Sequence, residues 1–124
     1  MALKLAKTHF SHLADPEPER SHFISRVGAW HGATLGVLPI GDFKVRKDPF
    51  LSIISQNASR VSACSAYRGL RDGEDEETYV RRLAEELDAE FRRIGPGKVC
   101  AFVAETVGGS VSEEGGTLQG PNSN

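Results

Sequence analysis

Residues 70–104 read LRDGEDEETYVRRLAEELDAEFRRIGPGKVCAFVA and place an amphipathic helix pattern, within residues 70–94, directly before a strand pattern. Acidic residues open the helix and Arg92 and Arg93 occupy its last turn, an order that complements the helix dipole. Gly95-Pro96-Gly97 ends it. The apolar residues recur every three to four positions and predict one buried stripe: Val80, Leu83, Ala84, Leu87, Phe91 and Ile94. We expect the charged residues between them to face water: Arg81, Arg82, Glu85, Glu86, Asp88 and Glu90.

The apolar run from Lys98 to Ala104 is typical of a strand that is buried on both sides of a parallel sheet. A second strand pattern precedes the helix, at residues 60–67, with Val61, Ala63 and Tyr67 on one parity. A strand, a helix and a strand in this order predict a βαβ crossover. The expected fold is therefore α/β, with a mostly parallel sheet flanked by helices.

Two further elements lie nearer the N-terminus. Residues 1–13 have apolar positions at helical spacing, and residues 21–27 form a β-branched, apolar strand pattern. A polar connection with two prolines separates them. Residues 43–59 show no clear period, although Lys44, Arg46 and Lys47 form a short basic cluster that we interpret as a solvated loop.

The most distinctive local sequence is the corner Ala29-Trp30-His31-Gly32, which follows the strand at residues 21–27. A large aromatic ring and an imidazole beside a glycine could form the wall of a pocket for a flat ligand. The residues alone favour the alternative that Trp30 belongs to the core and His31 makes structural hydrogen bonds. Glu105 stands where the last strand ends, and a ligand-facing acid and an exposed loop acid are equally compatible with its pattern.

Composition limits the function classes. The chain has 124 residues, is 39% hydrophobic and has a formal net charge of -2, which fits one globular domain and offers no electrostatic case for nucleic acid or an anionic membrane. No apolar run approaches the roughly 20 residues of a membrane span. Cys64 and Cys100 have no metal-ligand spacing, and we expect buried free thiols, no metal site and a cytoplasmic location.

Taken in order, these segments resemble the class III aminotransferases, the fold-type I enzymes that use pyridoxal 5'-phosphate. The similarity covers residues 1–109, an expected partial large domain, and residues 110–124 are expected to be a polar tail without fixed structure. The segments that carry it are the N-terminal helix, the aromatic-His-Gly corner, Asp48-Pro49-Phe50, Tyr67-Arg68, the helix ending in Gly-Pro, and the strand ending at Glu105.

The resemblance implies a role for each matching residue. Trp30 would stack on the pyridine ring of the cofactor, His31 would support the corner, and Gly32 would let the chain turn. Glu105 would belong to the hydrogen-bond network around the cofactor. The family reaction moves an amino group from a small-molecule amino donor to a keto or aldehyde acceptor, and full-length relatives are expected to be homodimers.

The sequence also departs from the family pattern. The phosphate-binding segment, the aspartate that pairs with the pyridine nitrogen and the cofactor-binding lysine have no counterpart, so no catalytic residue is assigned. Thr106 replaces a proline after Glu105, and Ala33 stands where one group of relatives has an arginine. These departures predict a truncated middle portion of the large domain that is inactive alone. The alternative is a non-catalytic remnant that acts as a subunit or interaction module with another chain.

Overall fold

A three-stranded parallel sheet forms the centre of the protein, as seen in a computed structural model that describes residues 1–106. The strands are β1 (His22–Arg26), β2 (Ala58–Val61) and β3 (Val99–Phe102), in the spatial order β2-β1-β3. Phe23 pairs with Ala58 and Arg26 with Val61 along one side of β1. The all-parallel sheet confirms the predicted α/β class. The predicted tail at residues 110–124 lies outside the described residues.

Helices account for most of the remaining regular structure. They are α1 (Ala2–Ser11), α2 (Lys44–Lys47), α3 (Ala66–Gly69) and α4 (Glu76–Ile94), with a 3-10 helix at Asp48–Phe50. The α4 helix carries the chain from β2 to β3, so the predicted crossover is confirmed, with β1 lying between the two strands it connects. None of these helices is both long enough and apolar enough to span a bilayer.

The start of α4 follows from its capping chemistry. The Asp75 side chain accepts a hydrogen bond from the backbone N–H of Thr78 at 2.8 Å, which satisfies one of the free amides of the first turn. This cap holds the pKa of Asp75 below its usual value. The helix therefore begins at Glu76, and the residues from Leu70 to Asp75 form the connection that leads into it.

The apolar core lies between α4 and the sheet. Ile24, Val61 and Val99, one from each strand, are buried together, and Leu87, Phe91 and Ile94 of α4 pack against them with Phe102. Leu87, Phe91 and Ile94 are the C-terminal part of the predicted apolar stripe. Burial of such side chains is the main favourable term in folding, so α4 is fixed on this face of the sheet.

At the N-terminal end of the helix, the predicted buried position is wrong by one residue. Val80 is 60% exposed, whereas Tyr79 is 2% exposed. The Tyr79 hydroxyl accepts from the Ser65 backbone N–H at 2.9 Å and donates to the Ala63 carbonyl at 3.2 Å. A tyrosine can bury its ring here because its polar end finds both partners in the loop after β2.

Three charged residues predicted to face water are instead partly buried and bonded to the fold. Glu86 accepts from the Ser62 backbone N–H at 2.9 Å, and Arg82 forms an ion pair with Glu74 at 2.7 Å. Hydrogen bonds from Arg93 lower the pKa of Glu90 to about 2. Periodicity did not reveal these contacts because it reports apolar burial, whereas Glu86 and Arg82 are held by partners outside α4.

The strand before α4 also differs from its prediction. It spans Ala58–Val61, and Ala66–Gly69 is a short helix. The strand ends early because its backbone partner β1 ends at Arg26, opposite Val61. Cys64 consequently lies in a loop and is exposed, contrary to the expectation of two buried thiols, whereas Cys100 in β3 is buried as expected.

We expect Ile24→Ala to be strongly destabilising, because Ile24 is fully buried between α4 and both neighbouring strands. The free energy of unfolding, measured with urea, should fall by about 3 kcal/mol. Val45→Ala, at a position that is 85% exposed, is the control and should change stability little. Equal effects of the two substitutions would contradict this description of the core.

Candidate functional site

A cleft of about 390 Å³ opens where the three parallel strands end. Backbone hydrogen bonds hold the ends of the three strands side by side. The Val27 N–H donates to the Val61 carbonyl at 2.8 Å, and the Val103 N–H donates to the Ile24 carbonyl at 2.8 Å. The carboxyl ends of parallel strands are the usual place for ligands in open α/β sheets. The residues that line the cleft are Arg26, Val27, Ala29, Ala63, Cys64, Ser65, Glu105 and Thr106.

The corner that contains Trp30 and His31 is attached to the face of the sheet opposite α4. Ser25 is fully buried there, and its hydroxyl donates to the Ile40 carbonyl at 2.6 Å. Ser25 pairs with Arg60 in the sheet, and Arg60 donates to the carbonyls of Pro39 and Gly41 at 2.5 and 2.6 Å. One serine and one arginine thus bind the end of the loop to two adjacent strands.

Asp42 closes the same loop back onto its start. Its carboxylate forms an ion pair with Arg60 at 2.9 Å and accepts from the Gly28 N–H at 2.9 Å. Its own N–H donates to the Ala29 carbonyl at 3.0 Å. Gly28 has φ +74, a conformation that favours glycine. Both ends of the loop from Gly28 to Asp42 are therefore bonded to each other and to the sheet.

Trp30 is half-buried and held by two neighbours. The ring of Phe43 meets it edge-on, with centroids 5.7 Å apart. The Arg46 guanidinium lies 4.3 Å from the indole centroid, a cation–π contact on one face of the ring. Arg46 belongs to the basic cluster that was interpreted as a solvated loop, and the structure gives it this specific contact. Trp30 itself does not belong to the cleft lining, although its neighbour Ala29 does.

His31 carries an unsatisfied polar atom. Its Nε2 is buried and, within residues 1–106, has no hydrogen-bond partner. Burial lowers the pKa of His31, and the negative charge of Glu105 opposes that change. The residues alone favoured a histidine whose ring nitrogens both make structural hydrogen bonds. Within the described part of the chain, His31 Nε2 makes none. It is available to a ligand or a neighbouring group.

Of the other two predicted site residues, Gly32 lies in the turn of the corner and Glu105 lies in the cleft lining. Gly32 has φ +123, and a Cβ there would lie 3.0 Å from the Val37 side chain, so the turn depends on glycine. Glu105 is partly buried, lines the cleft and acts electrostatically on His31. The fold therefore brings Glu105 and His31 together at the strand ends, with Trp30 on the adjoining corner.

Sequence reasoning missed several cleft residues. Arg26, Cys64 and Ser65 line the cleft and had no assigned role. A signal was present, because each of them lies at the end of a strand or just after it. It was obscured at Cys64 and Ser65 by the strand being placed too far along the chain. Thr106, noted only as a departure from the family pattern, also lines the cleft.

The cleft lining and the corner beside it carry polar groups that suit an organic ligand. Within residues 1–106, no group of three or more histidine, cysteine or acidic side chains is arranged to hold a metal. The Glu105 carboxylate in the lining, together with the Trp30 ring and the partnerless His31 Nε2 on the adjoining corner, fits a flat, polar organic ligand. No lysine is among the residues that line this described cleft.

We expect Glu105→Gln to lower the pKa of His31 further. Burial already disfavours the imidazolium, and the substitution removes the nearby negative charge that favours it. An NMR titration of the His31 ring protons would measure this pKa in both proteins. Glu85→Gln, on the exposed face of α4, is the control and should leave it unchanged. A rise in the pKa of His31 in the Glu105 variant would show that the two groups do not interact as described.

Sequence comparison finds most of the chain similar to aminotransferases. It is 42% identical over 121 residues to an aminotransferase of Gibberella zeae, covering 97% of this chain and 23% of that protein. It is 49% identical over 94 residues to an uncharacterized aminotransferase of Schizosaccharomyces pombe, covering 76% of this chain and 20% of that protein. The chain thus spans between a fifth and a quarter of the length of these relatives. No protein-family profile matches it.

Structure comparison gives the same result. The omega transaminase of Pseudomonas jessenii in complex with PMP matches with a TM-score of 0.77 and 27% identity, over 89% of this chain and 24% of that one. A PLP-bound aminotransferase mutant from Vibrio fluvialis matches with a TM-score of 0.72 and 27% identity over the same shares. In sequence and in fold, the chain is therefore similar to a segment of the aminotransferases, and its fold matches the fold-type I architecture of the transaminase structures.

Proposed function

We propose that this chain forms one wall of a pyridoxal 5'-phosphate site of the class III aminotransferase type, with Trp30 stacked on the pyridine ring. The observation that carries the proposal is the anchored corner itself. Trp30 and His31 lie between two points where the loop is bonded to the sheet, beside a cleft that Ala29 and Glu105 line. The two matched transaminase structures, which contain PMP and PLP, support the choice of cofactor.

The contacts of Trp30 define how a ring can approach it. Arg46 covers one face of the indole and Phe43 meets it edge-on, so the ligand ring would stack on the opposite face. Because Phe43 and Arg46 follow the loop end fixed by Asp42, the indole plane is set before any ligand binds. A preset aromatic surface reduces the entropy that binding must overcome.

His31 and Glu105 would act on the polar edge of the ligand. Burial keeps the imidazole of His31 neutral at neutral pH, so it can donate from one nitrogen and accept at the other. Its partnerless Nε2 is the atom we assign to the ligand or to the group beside it. Glu105 adds a carboxylate at the end of β3, as expected of a residue in the hydrogen-bond network around the cofactor.

Pyridoxal phosphate would supply the chemistry when bound: its aldehyde carbon would carry the amino group from donor to acceptor, and its ring would take up the electron pair left when the proton beside that amino group is removed. The lysine that holds the cofactor covalently in this family has no candidate at the cleft. Lys7 donates to the Arg20 carbonyl, Lys47 donates to the Gly41 carbonyl, and Lys98 precedes β3 at the opposite end of the sheet. We therefore propose that Trp30, His31 and Glu105 bind and orient the cofactor and do not by themselves complete the transamination.

Pyridoxine 5'-phosphate tests this proposal, because it has the ring and phosphate of the cofactor but no aldehyde to react with lysines. Trp30 is the single tryptophan of the chain, so its fluorescence reports on the site directly. We expect a saturable decrease in emission as the ligand is added. Trp30→Ala should weaken binding, measured by equilibrium dialysis, by about tenfold, whereas Trp30→Phe should retain most of it.

The matched control is Tyr67→Ala, which removes an aromatic ring that is 94% exposed and should leave the affinity unchanged. Circular dichroism of each variant establishes that it is folded. Unchanged Trp30 emission on addition of the ligand, or full affinity in folded Trp30→Ala, would reject the stacking role.

A contact surface for a second copy of the chain is the other function that we propose, and it would fit either a homodimer or an interaction module. Four apolar side chains are exposed within nine residues: Val45, Phe50, Leu51 and Ile53. Val45 is 85% and Ile53 is 63% exposed. Exposed apolar side chains concentrated in one segment commonly mark a contact surface.

We expect the chain to self-associate in a concentration series followed by sedimentation velocity, and Ile53→Glu to shift it towards monomer, because a buried, unpaired charge opposes association. Val80→Glu places the same charge at a position of similar exposure, 60%, on α4 and should not change association. A wild-type chain that stays monomeric throughout the series would rule out this contact.

A further inference from the structure

Arg46 contacts the face of the Trp30 ring that lies opposite the proposed ligand. Its guanidinium lies 4.3 Å from the indole centroid and 5.4 Å from the centroid of the Phe43 ring. The backbone N–H of Arg46 donates to the Phe43 carbonyl at 3.1 Å, so one helical turn holds the cation and the edge-on ring together. The indole therefore carries a cation on one face before any ligand binds.

The charge of Arg46 has no acidic partner in the part of the chain that the structure describes. The two acids of this segment are used by other cations, since Arg60 pairs with Asp42 and Lys44 pairs with Asp48. Within residues 1–106, the two ring contacts are the interactions of the Arg46 side chain. The positive charge is thus opposed only by the π electrons of the rings and by water.

A cation on one face of an indole changes what the other face can bind. The π face of an aromatic ring is negative, and that negative potential is what attracts a cation. A ring stacked on the opposite face would lie about 8 Å from the guanidinium, given an ordinary van der Waals separation of two stacked rings. A positive charge on that ring is repelled, because the indole and not water lies between the two cations. A neutral ring is not repelled, and an anionic ring is attracted.

We propose that Arg46 sets the charge preference of the Trp30 stacking face, so that this face binds a neutral or anionic aromatic ring better than a cationic one. The inference rests on the proposed function for placing a ring on Trp30, and it adds the charge state of that ring. Arg46 acts through the indole and does not touch the ligand. Glu105 also acts on this corner, so the effect of Arg46 is measured as a ratio of affinities before and after its substitution.

Nicotinamide and 1-methylnicotinamide test the proposal, since they share a pyridine ring and an amide and differ by one positive charge. NMR titration of the full chain follows the indole N–H of Trp30, the single tryptophan. We expect nicotinamide to bind more tightly, and Arg46→Gln to move the ratio of the two dissociation constants about threefold towards 1-methylnicotinamide. Arg46→Lys should keep the wild-type ratio because it keeps the cation. A purely structural role of Arg46 would weaken both ligands equally and leave the ratio unchanged.

The matched control is Lys44→Gln, which removes an equal charge from the same helix at a side chain that is 82% exposed. It should leave the ratio unchanged, because water screens an exposed charge that does not contact the indole. Three results would overturn the proposal: tighter binding of 1-methylnicotinamide by the wild-type chain, an unchanged ratio in folded Arg46→Gln, or an equal change in Lys44→Gln.

Collisional quenching of Trp30 in the ligand-free protein gives a second readout that needs no stable complex. Caesium ion is a cationic quencher and acrylamide a neutral one. At constant ionic strength, Arg46→Gln should raise the quenching constant of caesium relative to that of acrylamide by about twofold. The absence of such a rise would overturn the proposal whether or not either pyridine binds.

Pyridoxine 5'-phosphate binding, reported by Trp30, separates this proposal from the proposed function. A wild-type chain that does not bind it lacks the stacking function. A chain that binds it, but whose affinity and quenching ratios do not respond to Arg46→Gln, keeps the stacking function and lacks only the charge preference.

Discussion

The ion pair between Arg60 and Asp42 is the constraint on which the candidate site depends. Arg60 lies in β2 and Asp42 ends the loop that begins after β1, so their contact ties the loop to a strand other than the one it leaves. Asp42 also accepts from Gly28, and the buried Ser25 hydroxyl binds Ile40. Since Trp30 and His31 lie between these attachments, the pair determines where the aromatic ring and the imidazole stand relative to the ends of the strands.

The two faces of the sheet are held by different kinds of contact. The α4 face is apolar, with Ile24 buried against Leu87 and Phe91. The other face holds its loop through directed hydrogen bonds to Ser25 and Arg60. Directed bonds fix positions more narrowly than apolar contacts, which tolerate sliding and repacking. The position of the corner that contains Trp30 and His31 is therefore fixed by these directed bonds.

The periodic pattern predicted the elements well and their edges less well. A helix was expected within residues 70–94 and a strand at residues 98–104; both elements are present, and the helix begins later, at Glu76. The predicted position of Val80 was wrong because hydropathy ranks it above Tyr79, although the tyrosine hydroxyl finds two partners in the loop after β2. The water-facing prediction for Glu86 was wrong because its partner, Ser62, belongs to another element.

The sequence by itself determined the α/β class, the order of the elements and the residues of the corner, because helical and strand periods and glycine turns are encoded within short windows. Only the tertiary structure decided that Glu105 lies near His31, that Arg46 covers one face of Trp30, and that Arg26 lines a cleft. The physical reason is that these contacts join residues distant in the chain. They depend on strand order and register, which in turn depend on how complete layers pack together.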